Sequence, residues 1–411
     1  MTRTALSASA SSVESRSSSP RTVTRLVRCA ASWRANQACA RLVRVDLDFS
    51  PAERDFRAEV RDWLSTHVPE RLPSMDTPEG FAAHRAWERV LAGARLSAVS
   101  WPGRYGGRDA SLIEWLIFEE EYWAAGAPAR VTQNGIFLLA PSLMRSGTPE
   151  QLDRWLPRMA RGDDVWAQAW SEPEAGSDLA ALTSRAEPAP GGWLLYGHKT
   201  WSSRAAYATH GFGLFRTSGT RHKGLTYFLF PLDDVTVRPI AQLDGLPGFA
   251  ELFLDGVYVP DSMVLGEVGE GWRIAMATTS SERGLTLRSP GRFLATADRL
   301  VALARTAGDP VLADRAARCW VEAEAYRLHT FGTARRIMAG AEIGSAASMG
   351  KVFWSELDLR MHALAMELLG DRAGETPWLD GFLFSLAGPI YAGTNEVQRN
   401  IIAERVLGLP R

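Results

Sequence analysis

The hydrophobic period of this chain changes twice along its length, and that pattern constrains the fold more than any other feature. Helical spacing opens the body. Ser50-Pro51-Ala52-Glu53 reads as a helix start, with Ser as N-cap, Pro at the first helical position and Glu closing a capping box. Phe56, Val60 and Trp63 then fall on one face. Helical patterns continue through 82–96, 112–123 and 148–159, with Trp101-Pro102-Gly103 and Tyr105-Gly106-Gly107 as turns. From about residue 166 to 265 the pattern becomes short β-like runs: 192–196, 211–215, 225–230, 235–239 and 251–259. After Gly271-Trp272 long helical patterns return over 272–306, 310–339 and 342–370, and a last helix is expected from about Thr394 to Val406. Helix, strand, helix in three blocks predicts an α+β chain with segregated elements, not alternating βαβ units. The expected units are an N-terminal helical domain over 46–165, a central β-barrel or sandwich over 166–271 and a C-terminal helical bundle over 272–411. A chain of 411 residues exceeds one small core, which agrees with several packed units.

Residues 1–45 differ from this body. They are rich in Ser and Arg, and Glu14 is their sole acid. Such a composition buries too little surface to offset its ordering entropy, so disorder is expected. Three readings compete: a start assigned too far upstream, a plain disordered tail, and an Arg-rich, acid-poor transit peptide. The net charge of −1 implies no nucleic-acid or membrane-surface partner. No run of 18 apolar residues predicts a transmembrane helix. Cys29 and Cys39 lie in the extension and only Cys319 in the body, with no metal-ligand spacing, so a reduced, cytoplasmic setting is expected. Of 46 basic residues only Lys199, Lys223 and Lys351 are lysine, a skew that a GC-rich coding sequence would produce. His198, His210, His222, His329 and His362 show neither triad nor metal spacing.

Two motifs in the β block suit a flat, anionic ligand. Trp170-Ser171-Glu172-Pro173-Glu174-Ala175-Gly176-Ser177-Asp178 is a polar, glycine-containing loop whose small residues let backbone N–H groups approach a ligand. Gly197-His198-Lys199-Thr200-Trp201-Ser202-Ser203 offers a Trp to pack on a ring and hydroxyls to bond its edge. Taken singly, the first also fits an ordinary surface turn and the second a strand with a buried Trp. Their order and spacing change this. Together with Gly393-Thr394-Asn395-Glu396-Val397-Gln398-Arg399-Asn400-Ile401-Ile402, the turn at Pro260-Asp261 and Gly269-x-Gly271-Trp272, they resemble the acyl-CoA dehydrogenases over roughly 47–411. The resemblance implies a helical N-terminal domain, a central β domain and a C-terminal four-helix bundle, with FAD held between the last two. It implies that Trp170 and Ser171 contact the flavin, and that Ser177 lies near phosphate and CoA. Ser203 would bond the flavin edge near N5, with Trp201 packed beside the ring. Thr394 and Glu396 would face the dinucleotide.

The resemblance further implies α,β-dehydrogenation of an acyl-CoA thioester, with proton abstraction by a carboxylate, hydride transfer to flavin N5 and electrons passed to an electron-transferring flavoprotein. The family's usual base position is here Ala392. Its backbone N–H can still donate to the thioester oxygen, beside Gly393 in the substrate site. The expected replacement base is Glu282, in the Glu-Arg pair that isovaleryl- and long-chain-type members carry, with Arg283 facing the CoA chain. The residues themselves agree: Ile274, Thr278, Glu282 and Leu285 share one helical face, where a carboxylate is costly unless paired or used. A solvated Glu282 is the plain alternative. Two family segments that reach a neighbouring subunit's FAD are missing; Leu303–Pro310 and Glu367–Gly370 stand in their places. The pattern looks like an actinobacterial branch, some of whose members act on bulky CoA esters as mixed tetramers. A homo- or hetero-oligomer, dimer or tetramer, is expected. Two alternatives remain beside the dehydrogenase: a non-catalytic partner subunit of a mixed oligomer, and an acyl-CoA oxidase or flavin monooxygenase on the same fold.

Overall fold

The computed structural model describes residues 48–283, 289–341 and 344–410; the side chains of 279–283 and of Glu375 are outside that description. The extension expected over 1–45 lies outside the described residues.

The N-terminal block is helical. Its first helix, α1 (Pro51–His67), starts as the sequence requires: Ser50 Oγ accepts from the Glu53 amide at 3.2 Å and Glu53 Oε2 from the Ser50 amide at 2.8 Å. Phe56, Val60 and Leu64 are its buried stripe. Helices α2 (Pro78–Gly93), α3 (Leu112–Ala124), α4 (Ala140–Ser146) and α5 (Pro149–Ala160) follow, with one π-helical stretch at Asn134–Leu139. Helix α3 is buried almost all round and carries Glu119, Glu120 and Glu121 into the interior. Buried carboxylates need partners. Arg57 bridges Glu120 and Glu121 at 2.7 and 2.8 Å, Arg61 adds a second contact to Glu121, and Arg327 reaches Glu120 from the C-terminal block.

The central block is one eight-stranded sheet. The strands are β1 (Trp166–Ala169), β2 (Arg185–Ala189), β3 (Gly192–Ser203), β4 (His210–Arg216), β5 (Leu225–Pro231), β6 (Thr236–Ile240), β7 (Phe249–Pro260) and β8 (Val264–Leu265). Their order is β6-β7-β3-β2-β4-β5-β8, with β1 parallel to β4. The pairing of β3 with β7 is the long antiparallel ladder, and it is interrupted by bulges at Leu195/Tyr196 and Lys199/Ser202.

The C-terminal block contains α6 (Gly271–Arg283), α7 (Pro290–Ala307), α8 (Pro310–Met338), α9 (Ala347–Leu369), α10 (Pro377–Ser385) and α11 (Asn395–Ile401), the last running on as a π turn, Ile402–Val406. The single helix expected over 272–306 is two helices. Ser289-Pro290 is itself a start signal: Ser289 Oγ accepts from the Gly291 amide at 3.2 Å and Pro290 occupies the first turn. Helix α10 had no counterpart in the sequence pattern. Phe293, Leu300, Tyr326, Trp354, Leu357 and Met361 form the bundle core. Gly291 fixes how closely this bundle meets α3, because a Cβ there would come within 2.7 Å of the Glu119 carbonyl oxygen. Among the described residues, no helix is long and apolar enough to cross a membrane.

Candidate active site

The two β-block motifs meet. The Thr200 amide donates to the Ser171 carbonyl at 2.9 Å, joining the loop after β1 to the end of β3. Beneath this join, Lys199 and Glu172 form an ion pair at 2.8 Å, both side chains buried. Lys199 Nζ also donates to the Leu214 and Trp170 carbonyls at 2.9 and 3.4 Å. Glu172 accepts from Thr183 N at 2.7 Å, Thr183 Oγ1 at 2.8 Å and Ser184 N at 2.9 Å. Burial would raise the Glu172 pKa, but the Lys199 charge and these donors override it and hold the carboxyl down to about 2. Burial draws the Lys199 pKa downward against the attraction of Glu172. With so many donors on the carboxylate, the charged pair is the state that fits this geometry. Neither residue was singled out by the sequence. The signal that could have found them is the skew itself: Lys199 and Lys351, two of only three lysines, are fully buried.

The bulge at Lys199/Ser202 turns Trp201 out of the sheet. Trp201 holds φ +59° and is 60% exposed, with Phe249 edge-on at 5.9 Å. A large aromatic residue in the left-handed region is uncommon and marks a constrained position. Ser171 and Ser203 flank it half-buried, and their hydroxyls make no hydrogen bond among the described residues. Trp170 differs: its ring is buried in the sheet core against Tyr227, 6.2 Å away. Its ring Nε1 has no hydrogen-bond partner among the described residues. Ser177 is exposed on the following loop, which the Asp178–Arg221 ion pair at 2.7 Å ties down. An exposed flat ring between two unengaged hydroxyls suits the face and polar edge of an isoalloxazine, so these residues fit FAD.

The C-terminal motif forms a tight turn. Ala392 and Gly393 stand at φ +56° and +79°. Thr394 caps α11, its hydroxyl accepting from the Val397 amide at 3.2 Å. Glu396 is exposed in the first turn, where backbone and Thr394 hydrogen bonds lower its pKa.

Glu282 and Arg283 close α6, and their side chains lie outside the described residues, as does Leu285. The rest of the predicted stripe is in place, with Ile274 and Thr278 fully buried. Helix α6 touches β4 and β5 in the sheet, α9 in the bundle and α4 in the N-terminal block. Thr278 and Ser142 share a buried hydrogen bond of 2.6 Å across that last contact. The two segments that depart from the family pattern are otherwise engaged. Gly308, at φ +72°, and Asp309, which caps α8, make the α7–α8 corner. Glu367 pairs with Arg315 at 2.7 Å.

A helical domain, a sheet domain with two joined segments that fit a flat ring, and a helical bundle define a flavin-dependent oxidoreductase of the acyl-CoA-oxidising kind. Comparison with known proteins agrees. Models of the N-terminal, middle and C-terminal domains of acyl-CoA dehydrogenase match residues 50–163, 167–257 and 269–407. Acyl-CoA dehydrogenase IpdE1 of Mycobacterium tuberculosis is 39% identical over 380 residues, covering 87% of this chain and 98% of that protein. Among solved structures, the Tcur3481-Tcur3483 steroid ACAD superposes with a TM-score of 0.79 at 28% identity, covering 89% of this chain and 100% of that one. The ChsE4-ChsE5 complex from Mycobacterium tuberculosis superposes at 0.76, with the same identity and coverage. The chain belongs to the acyl-CoA dehydrogenase family, among its actinobacterial members. It is an FAD-binding oxidoreductase.

Proposed function

We propose that this protein removes the α and β hydrogens of an acyl-CoA thioester, with Glu282 as the base and the Ala392 N–H as a donor to the thioester oxygen. The observation that carries this reading is α6. Its buried Ile274–Thr278 stripe runs toward Glu282 at helical spacing, at a junction of all three blocks. Trp170, Trp201, Ser171 and Ser203 would hold the flavin face and edge. Ser177, Arg283 and Gly393 would line the CoA and thioester path, and Thr394 and Glu396 the dinucleotide. When bound, FAD would supply the acceptor for the β-hydride. The chain supplies the rest: Glu282 takes the α-proton, and the Ala392 amide lowers the cost of charge on the thioester oxygen. Electrons would then pass to an electron-transferring flavoprotein.

The likeness to a steroid ACAD favours a bulky, steroid-derived acyl group over a short linear one. Heteromeric neighbours also support assembly with a second, related subunit. Ala392 at the usual base position favours a second reading, a non-catalytic partner chain. Anaerobic titration of the FAD-loaded protein with a panel of acyl-CoA esters separates the two. Flavin bleaching by one acyl class, abolished in Glu282→Gln with FAD retained, is the expected result. Full turnover by Glu282→Gln would remove Glu282 from the mechanism. FAD that no ester bleaches, in the chain alone or with its co-purifying subunit, would favour the partner role.

A further inference from the structure

Ala392 is a non-glycine residue in the left-handed region, a conformation that persists only where the surroundings over-determine it. One face of α9 supplies those surroundings. Lys351, Trp354 and Ser355 lie at i, i+3 and i+4 and are fully buried. On the N-terminal side of the turn, Trp354 stacks on Tyr391 with ring centroids 6.0 Å apart. On the C-terminal side, Asn395 Oδ1 accepts from Lys351 Nζ at 2.7 Å and from Ser355 Oγ at 3.1 Å. Asn395 Nδ2 donates to Glu356 Oε1 at 3.3 Å, and its amide closes the loop onto the Pro389 carbonyl at 2.8 Å. The Ala392 carbonyl is itself tethered by Gln398 Nε2 at 3.4 Å, from a fully buried side chain.

Holding Tyr391 on one side and the Ala392 carbonyl on the other fixes the φ between them. With the residues on both sides held, that φ and the ψ of Tyr391 fix the tilt of the 391–392 peptide plane, in which the Ala392 N–H lies. We propose that Lys351, acting through Asn395, is the positioning residue that aims this N–H at the thioester oxygen, with the Gln398 tether as a separate hold on the same turn. The inference rests on the proposed role of the Ala392 amide. A lysine in a chain whose basic residues are otherwise nearly all arginine is what the site demands. A compact ammonium fits a fully enclosed position that a planar guanidinium fork does not.

Acetoacetyl-CoA tests this without involving the base, because its acidic methylene ionises on its own once the thioester oxygen is hydrogen-bonded. The full-length, FAD-loaded wild type should bind it largely as the enolate, read by absorbance across a pH series. In Lys351→Met the enolate fraction should fall by about tenfold or more, since misaiming one such donor costs that order. FAD content should be unchanged, and the acetoacetyl-CoA affinity at low pH, where the keto form binds, should stay within about threefold; at higher pH the apparent affinity should weaken in step with the lost enolate, as the amide acts on charge. Asn395→Leu, which removes the acceptor of the Lys351 bond, should move the readout the same way, and it answers the question if Lys351→Met does not fold. Variants that hold FAD and form as much enolate as the wild type would overturn the positioning role. A wild type that binds acetoacetyl-CoA without enolate would instead overturn the Ala392 amide reading, and the positioning role with it.

Discussion

Replacing Lys199 by Met tests the join between the loop after β1 and the end of β3, the two segments proposed to hold the flavin. Lys199 has no exposed surface, and the substitution removes its bonds to Glu172 at 2.8 Å and the Leu214 carbonyl at 2.9 Å. Glu172 would be left buried and charged, but still with three donors, from Thr183 and Ser184. Removing one partner of a buried pair typically costs about 3–5 kcal/mol, and the remaining donors put this case near the lower figure, about 3 kcal/mol. The loss should appear in a urea melt as a lower midpoint, and as FAD release on desalting, because Ser171 and Trp201 lose their common anchor. The double variant Glu172→Leu, Lys199→Met removes both charges, so it should recover part of the loss. The reasoning fails if Lys199→Met melts within about 0.5 kcal/mol of the wild type and keeps its FAD, the range of an ordinary surface change.

Three further outcomes follow from other residues. Burial pushes the Glu119 carboxyl up to about 7, against the opposing Arg130 charge. Between the unfolded pKa near 4.5 and about 7, the folded chain holds a proton that the unfolded chain has lost, so stability should fall as pH rises through that window. Glu119→Gln should abolish that fall, gaining about 3 kcal/mol at pH 8 and little at pH 4 in parallel melts; equal gains at both pH values would refute it. Ala392→Gly should relieve a left-handed strain of about 1–2 kcal/mol while adding unfolded-state entropy, for a net gain under about 1 kcal/mol, with turnover nearly unchanged because the N–H remains. A clear loss of stability would show that the Ala392 methyl is needed in its packing. Restoring a carboxylate with Ala392→Glu in the Glu282→Gln background should return measurable turnover if both positions face the same thioester; no return would count against that geometry.

The sequence by itself determined the order of the three blocks and many of their elements, though not helix Pro377–Ser385 or the break before Pro290. Period changes marked the three blocks, the Ser50-Pro51 signal marked the first helix start, and the β runs at 211–215 and 225–230 fell within the observed strands His210–Arg216 and Leu225–Pro231. These signals are local, set by capping, proline geometry and side-chain period, so they survive without knowledge of the fold. Its motifs also singled out the two segments that Thr200 and Ser171 join. What only the tertiary structure decided is how those segments are held. Glu172 and Lys199 are 27 residues apart, and Lys351 and Asn395 are 44 apart. No periodicity links such pairs; each exists because folding removes both groups from water, and a buried polar group must then find a partner nearby in space. Tertiary structure also separates Trp170 and Trp201, both expected beside the flavin. One is buried in the sheet core and the other turned out, because a single bulge in β3 re-aims the second.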